Sequence, residues 1–335
     1  VVETVEAGDP IEIELTNGET LLADAFIAAT GASARTLGIP GEDDLMGYGV
    51  STCATCDGAF FRDEDMLVIG GGDAAMEEAN FLTKFADTVY IAHRRENFRA
   101  EDYWVDRITE KVDDGEIELL KNTEAVEIHG TQAEGVDHVS LVRHPDGHPK
   151  AKIESGRGDE VEQFDLDVGA VFLAIGHTPN TDYLEETAVE LDESGYIQTQ
   201  SGSGDGQTRT DVDGIFGAGD VVDYHYQQAV TAASMGCKAA LDADEYLESI
   251  ESTEAAVETA QTDDLSGRKE TVVDRREFPT LFGAVVCSVR DCCSLDTVIE
   301  EVSERRADVA GFDQKGVVAV VGLDDVVGRL DVGVS

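Results

Sequence analysis

The sequence predicts an α/β chain with one Rossmann-like, three-layer dinucleotide-binding domain and room for a second domain, and three observations predict it. A short apolar strand, Met66-Leu67-Val68-Ile69, runs directly into the glycine-rich turn Gly70-Gly71-Gly72-Asp73-Ala74-Ala75. Small and apolar residues then recur with a helical period at Ala75, Ala79, Leu82 and Ala86, and Thr88 to Ala92 reads as the second strand of a βαβ unit. At 335 residues the chain is long enough for two domains of ordinary size, each with its own core.

Residues 1–47 read as strands. Ile11-Glu12-Ile13-Glu14-Leu15 alternates with period two, Asn17-Gly18 supplies a turn, and Thr20 to Ala29 carries the chain back as a hairpin or meander. The segment ends in Ala29-Thr30-Gly31-Ala32, and Pro40-Gly41 marks a linker.

Next comes Ser51-Thr52-Cys53-Ala54-Thr55-Cys56-Asp57-Gly58. Two cysteines at this spacing can close a small ring, so the first can attack a foreign disulfide and the second can resolve the mixed disulfide. Asp57 is placed to move a proton to or from the leaving thiolate. Half of a zinc site is the rival, but Cys237, Cys287, Cys292 and Cys293 form no second C-x-x-C knuckle, which favours redox chemistry over a metal.

In the glycine turn, Gly70 lets the chain turn, Gly72 lets a pyrophosphate approach the backbone, and Ala75 lets helix and strand pack closely. Asp73 is expected to cap the helix. At the tip of the second strand, where a ribose hydroxyl calls for Asp or Glu, the chain has His93-Arg94-Arg95, with Arg99 one helical turn on. Cations there suit a 2′-phosphate, hence NADPH; the alternative is a solvated arginine pair salt-bridged to some of the many carboxylates.

From Gly115 to Phe164 strands and turns alternate, with Ile117 to Leu120, Glu124 to Ile128 and Val139 to Val142 read as one β-meander. Ala170 to Gly176 is a buried strand that is expected to return the chain to the first domain; His177, after it, reads as a strand-end histidine bonded to backbone. Gly214-Ile215-Phe216-Gly217-Ala218-Gly219-Asp220 is a strand ending in a carboxylate, and Tyr226 to Leu247 is rich in small residues that allow close helix approach. Ser249 to Asp264 is acidic and helix-prone. Beyond Leu265 the charge is nearly balanced, with 13 acidic and 9 basic side chains. There Gly283 to Val289, Thr297 to Arg306 and Gly316 to Val321 are expected to form a small β-α-β unit, with Thr297 and Glu300 as a capping box and Cys292-Cys293 as a vicinal pair.

The whole chain carries 71 acidic against 24 basic residues, a formal charge of −47. This disfavours DNA, RNA and anionic membrane surfaces as partners. With 41% apolar residues in strand-like and helix-like periods, the acidity reads as adaptation to molar salt, where a Debye length of ~3 Å screens self-repulsion. No apolar run approaches the ~18 residues of a membrane helix and no signal-peptide pattern is present, so a cytoplasmic, reducing setting is expected. There a C-x-x-C is catalytic more often than structural.

Four motifs in this order, C-A-T-C-D-G at 53–58, the glycine turn, H-R-R-E-N-F-R-A at 93–100 and I-F-G-A-G-D-V at 215–221, resemble the low-molecular-weight, bacterial and archaeal type of thioredoxin reductase. The likeness spans Ala23 to about Leu247. It implies a fold of two Rossmann-like, three-layer dinucleotide-binding domains, FAD and NADPH as cofactors, thioredoxin or a similar small disulfide protein as partner, and a homodimer. Residues 1–47 and 167–250 would form the FAD-binding domain, 48–166 the NADPH-binding domain with the dithiol, and 265–335 an extension of unassigned role. By resemblance, Thr30 and Gly31 close the flavin domain, Gly219 and Asp220 meet the ribityl chain, and Gln228 and Ala229 lie against the flavin ring. Gly70, Gly72, Asp73, Ala75, His93, Arg94, Arg95 and Arg99 serve NADPH. Cys56 faces the flavin, Cys53 attacks the substrate disulfide and Asp57 handles the proton. The family swivels one domain against the other, with hinges expected near Gly47 and Phe164.

Two departures stand beside the resemblance. Gln227 stands where the family commonly has Arg, and no strand with its own G-x-G-x-x-G turn stands in the first 47 residues, so the sequence is read as N-terminally truncated with an incomplete FAD domain. The alternatives carried forward are a reductase of another acceptor, such as a peroxidase partner, and a non-catalytic NADP-binding remnant that lacks FAD.

Overall fold

In a computed structural model of the chain, the described residues are 1–202, 204, 206–264 and 317–321. The chain divides into two compact units, Val1–Ser33 with Thr178–Ser335, and Ala34–His177.

The first unit opens with β1 (Val2–Glu6), β2 (Ile11–Leu15) and β3 (Thr20–Ala23), an antiparallel meander. Ile11 and Ile13 face the core while Glu12 and Glu14 face solvent, the alternation of a half-covered sheet. The expected return strand, Thr20 to Ala29, breaks at Asp24. Beyond it β4 (Ala25–Ala29) leaves the meander for a parallel sheet, because Ala-Phe-Ile-Ala is apolar toward both faces and needs cover on both. β5 (Ala32–Ala34) follows.

The second unit runs α1 (Glu42–Leu45), β6 (Val50–Ser51), α2 (Ala54–Asp57), β7 (Met66–Gly70), α3 (Asp73–Leu82), β8 (Val89–His93), α4 (Asp102–Asp113) and β9 (Ile117–Lys121). It continues with β10 (Thr123–Thr131), β11 (Gly135–Arg143), α5 (Pro149–Glu154), β12 (Glu162–Asp167) and β13 (Ala170–Ala174). Its core is a parallel sheet of order β6-β13-β7-β8-β9.

Strand periodicity builds three layers. On β7 and β13, Leu67, Ile69, Val171 and Leu173 pack against Ile128, Val139 and Leu141 of the β10-β11-β12 meander. The alternate residues, Met66, Val68, Ala170 and Phe172, pack against Met76, Ala79 and Leu82 of α3 and Ile108 of α4. Each fully buried side chain of this kind stabilises the unit by about 1.5–3 kcal/mol.

Three expectations change here. The strand at Ile117 is not part of the meander but the fifth parallel strand, paired with β8. β13 does not return to the first unit; it lies between β6 and β7. Residues 34–47 go with the second unit, since Ile39 and Leu45 enter its core and the buried carboxylate of Glu42 accepts from the backbone N–H groups of Leu37 (2.8 Å) and Ile39 (3.2 Å). The chain therefore passes between units after Ser33 and after His177, rather than near Gly47 and Phe164.

Back in the first unit, β14 (His177–Pro179) pairs with β5, and β15 (Ile215–Gly217), α6 (Ala229–Asp264) and β16 (Val317–Val321) complete the described chain. β15 and β16 flank β4, both parallel to it. Phe26, Ala28 and Ile215 pack on the meander residues Val5, Ile11 and Ile13, while Ile27 and Phe216 pack on Ala239 and Ala243 of α6. The expected strand near Gly316 to Val321 is thus present. The expected strand at 283–289, the helix at 297–306 and Cys292-Cys293 lie outside the described residues.

Candidate active site

Cys53 and Cys56 are joined as a disulfide, with Cα atoms 5.3 Å apart. The short helix α2 places them. Ala54 between them is buried in the core shared with α3, and a Cβ on Gly58 would strike Leu82 at 2.4 Å, so the turn after the second cysteine sits directly on α3. Cys53 is half-buried and Cys56 exposed within this unit. Two donors converge on the first sulfur. The backbone N–H of Cys56 donates to Cys53 Sγ at 3.2 Å, and Thr55 Oγ1 lies 3.3 Å from it. A thiolate formed on Cys53 is therefore met by a donor already aimed at it.

Asp57 is tied to the same loop through Ser51. Ser51 Oγ donates to Asp57 Oδ2 at 2.7 Å and accepts from the Cys53 N–H at 3.0 Å. Ser51 was not among the residues singled out from sequence; a hydroxyl two residues before a C-x-x-C is a weak signal by itself.

The glycine turn has the shape its residues require. At Gly70 a Cβ would meet the carbonyl oxygen of Ala174 at 2.3 Å and the Ala75 Cβ at 2.6 Å, whereas at Gly72 it would meet nothing within 4 Å. The first glycine is forced by packing, and the second leaves the backbone open to a ligand at the start of α3, where helix N–H groups favour an anion. Asp73 departs from its expected role. The N-cap of α3 is Gly72, and Asp73 Oδ1 instead accepts from the backbone N–H of Glu101 at 2.7 Å. With the Arg99 N–H donating to the Gly71 carbonyl at 2.7 Å, this pins the arginine loop to the turn at two points.

His93 lies beneath the turn. It is buried, its Nε2 is 3.1 Å from the Asn97 carbonyl, and its ring fills the space a Gly71 side chain would need. Burial lowers its pKa against the Asn97 carbonyl contact, which raises it, and the charges of Arg95, Arg94 and Arg99 lower it further. Arg94 and Arg99 are exposed and Arg95 is half-buried. Among the described residues none of the three has a carboxylate within ion-pair distance, although the chain holds 71 acidic residues. Three unpaired cations beside an open glycine turn fit a phosphorylated dinucleotide.

In the first unit Thr30 with Gly31, and Gly219 with Asp220, follow the carboxyl ends of the neighbouring strands β4 and β15, the edge where open α/β sheets bind ligands. Gly31 has φ +71° and open space around it, but the Thr30 hydroxyl is engaged, donating to the Asn180 carbonyl at 2.6 Å. Gly219, with φ +79°, has Ala232 of α6 3.6 Å from its Cβ position. Asp220 Oδ1 is buried without a partner, and burial, reinforced by Asp223, raises its carboxyl pKa to about 6. An orphaned acceptor of this kind fits a hydroxyl-bearing ligand such as the ribityl chain of FAD. Gln228 and Ala229 lie at the start of α6, and Gln227 before them adopts the left-handed conformation at φ 47°.

Glu78 was also missed. It lies three residues after Ala75 and four before Leu82, partly buried at the border of the inner face of α3, a placement legible in the helical period. Its Oε2 is buried without a partner, and burial raises its pKa to about 8, with a contribution from Glu77.

Residues 2–236 match the family described as pyridine nucleotide-disulphide oxidoreductase. A thioredoxin reductase of Mycolicibacterium smegmatis is 46% identical over 246 residues, 73% of this chain and 71% of that protein. A Pseudomonas fluorescens protein named glucosaminate ammonia-lyase is 45% identical over 232 residues, 69% of this chain and 67% of that one. Among solved structures, thioredoxin reductase from Giardia duodenalis matches with TM-score 0.64 and 39% identity over 74% of each chain.

Proposed function

Since the chain belongs to the pyridine nucleotide-disulphide oxidoreductases, and among them to the low-molecular-weight thioredoxin reductases, we propose that Cys53 and Cys56 are the pair through which it reduces its substrate. The protein is an NADPH-dependent flavoprotein disulfide reductase acting on thioredoxin, with FAD and NADPH as cofactors. The observation that carries the chemistry is the Cys53–Cys56 disulfide with donors aimed at one of its sulfurs.

When bound, NADPH supplies a hydride and FAD relays its two electrons to the disulfide. In the proposed assignment the open backbone at Gly72 and the start of α3 hold the NADPH pyrophosphate, while Arg94, Arg95 and Arg99 hold the 2′-phosphate. The residues around Asp220 and Gly31 hold FAD.

Two electrons and two protons convert the disulfide to two thiols. Cys53, as thiolate, attacks the substrate disulfide, forming a mixed disulfide and releasing one substrate thiolate. Cys56 then attacks the Cys53 sulfur, restoring the Cys53–Cys56 bond and releasing the second substrate thiolate. Asp57, held beside this loop by Ser51, carries the proton for the departing sulfur.

The test is NADPH consumption with oxidised thioredoxin as acceptor, on protein purified with its flavin absorption band. Turnover in the wild type and its loss in Cys56→Ser are expected. Equal turnover in both would remove the dithiol assignment, and a protein that binds NADPH without flavin or turnover would favour the dinucleotide-binding remnant.

A further inference from the structure

The turn His144–His148, between β11 and α5, belongs to no recognised motif, yet it is built against the arginine pair. The His148 N–H donates to the Arg94 carbonyl at 2.8 Å, and the Asn122 N–H donates to the Arg95 carbonyl at 3.3 Å. Asn122 in turn accepts at its own carbonyl from the His144 N–H at 3.2 Å, and the Gly147 N–H closes the turn onto the His144 carbonyl at 2.8 Å. Gly147 has φ +70°, and a Cβ there would press on the Arg94 carbonyl oxygen at 2.8 Å. The close approach thus requires both the conformation and the absence of a side chain.

On this scaffold Arg95 Nε donates to His148 Nε2 at 3.3 Å. Accepting there requires a neutral imidazole with its proton on Nδ1. The bond engages only the inner nitrogen of the guanidinium, and among the described residues neither terminal nitrogen has a hydrogen-bond or ion-pair partner.

We propose that His148 is a positioning residue for cofactor choice: it holds Arg95 so that its terminal nitrogens meet the 2′-phosphate of NADPH as a preformed fork. A free arginine loses rotamer freedom when it closes on a phosphate; one already fixed at Nε has lost part of it beforehand. The gain applies only to a ligand with a phosphate at that position. His148 therefore favours the phosphorylated dinucleotide over the unphosphorylated one while touching neither.

The inference rests on Arg94 and Arg95 serving the 2′-phosphate, so the experiment contains a separate arm for that premise. Calorimetric titration of the full chain with NADP⁺, with NAD⁺ and with adenosine 2′,5′-bisphosphate reads binding without turnover. Arg94→Ala with Arg95→Ala is expected to weaken the two 2′-phosphorylated ligands and spare NAD⁺; an equal loss for all three overturns the premise. His148→Ala is expected to weaken the phosphorylated ligands about fivefold to tenfold and spare NAD⁺. His148→Gln, which keeps an acceptor, is expected to recover most of that loss. In an Arg95→Ala background His148→Ala is expected to cost nothing further. Unchanged NADP⁺ affinity in His148→Ala, or an equal loss for NAD⁺, overturns the positioning role even where the arginine arm behaves as stated.

Discussion

Ser51 and Asp57 are joined by a 2.7 Å hydrogen bond, and the same serine oxygen receives the backbone N–H of Cys53 at 3.0 Å. The acid is thereby fixed to the loop of the first thiol rather than left free on its helix. Ser51→Ala cuts that tether. It is expected to lower kcat for thioredoxin reduction several-fold while leaving the KM for NADPH unchanged, as steady-state kinetics can check. A shift in KM with kcat intact would show that the hydroxyl does something else.

The two sulfurs are not equivalent. Cys53 Sγ receives the Cys56 N–H at 3.2 Å, which favours its thiolate, whereas Cys56 is exposed. In reduced single-cysteine variants, the pH midpoint for alkylation of Cys53 in Cys56→Ser is expected to lie below that of Cys56 in Cys53→Ser. The reverse order would assign the attacking role to Cys56.

Glu78 sets a pH dependence of stability. Burial raises its folded-state pKa to about 8, from an ordinary value of 4.5. Between those pH values the folded chain keeps a proton that the unfolded chain has released, so stability falls as pH rises through this window and is level above it. Glu78→Gln removes the effect. Its advantage in denaturant unfolding is expected to be absent near pH 4 and to grow to on the order of 3 kcal/mol by pH 9. An advantage independent of pH would deny the buried carboxyl its role.

Charge compensation is sparse. Among the described residues the ion pairs of Lys and Arg include Lys111–Glu116, Lys121–Glu96, Arg157–Glu160 and Arg209–Glu245, in a chain with 71 acidic residues. A formal net charge of −47 repels itself, and dissolved salt screens that repulsion. The thermal midpoint by circular dichroism is expected to rise by tens of degrees between dilute buffer and multimolar KCl. The same midpoint in both would mean that self-repulsion does not limit this fold.

The local motifs were legible because their geometry is local. Gly70 to Ala75 states its own turn, and Cys53 and Cys56 state their own ring. The allocation of strands was less so. Ile117 to Lys121 and Ala170 to Ala174 are short apolar runs, and such a run reads the same at a sheet edge, at a sheet centre or in a neighbouring domain. Asp73 was misjudged as a cap because its partner, the N–H of Glu101, is 28 residues away. The Arg95–His148 bond spans 53 residues and was invisible for the same reason. Glu78 was within reach, since a carboxylate at the border of the apolar face of a periodic helix marks itself.

The most direct test of the electron path is to trap the dithiol. Flavin-loaded protein is mixed with NADPH, quenched with iodoacetamide and digested, and the peptide that holds residues 53 and 56 is weighed. Both cysteines carrying the label after NADPH, and neither before it, is the result this account requires. An unlabelled, still-bridged peptide from protein whose flavin has been bleached by NADPH would contradict it.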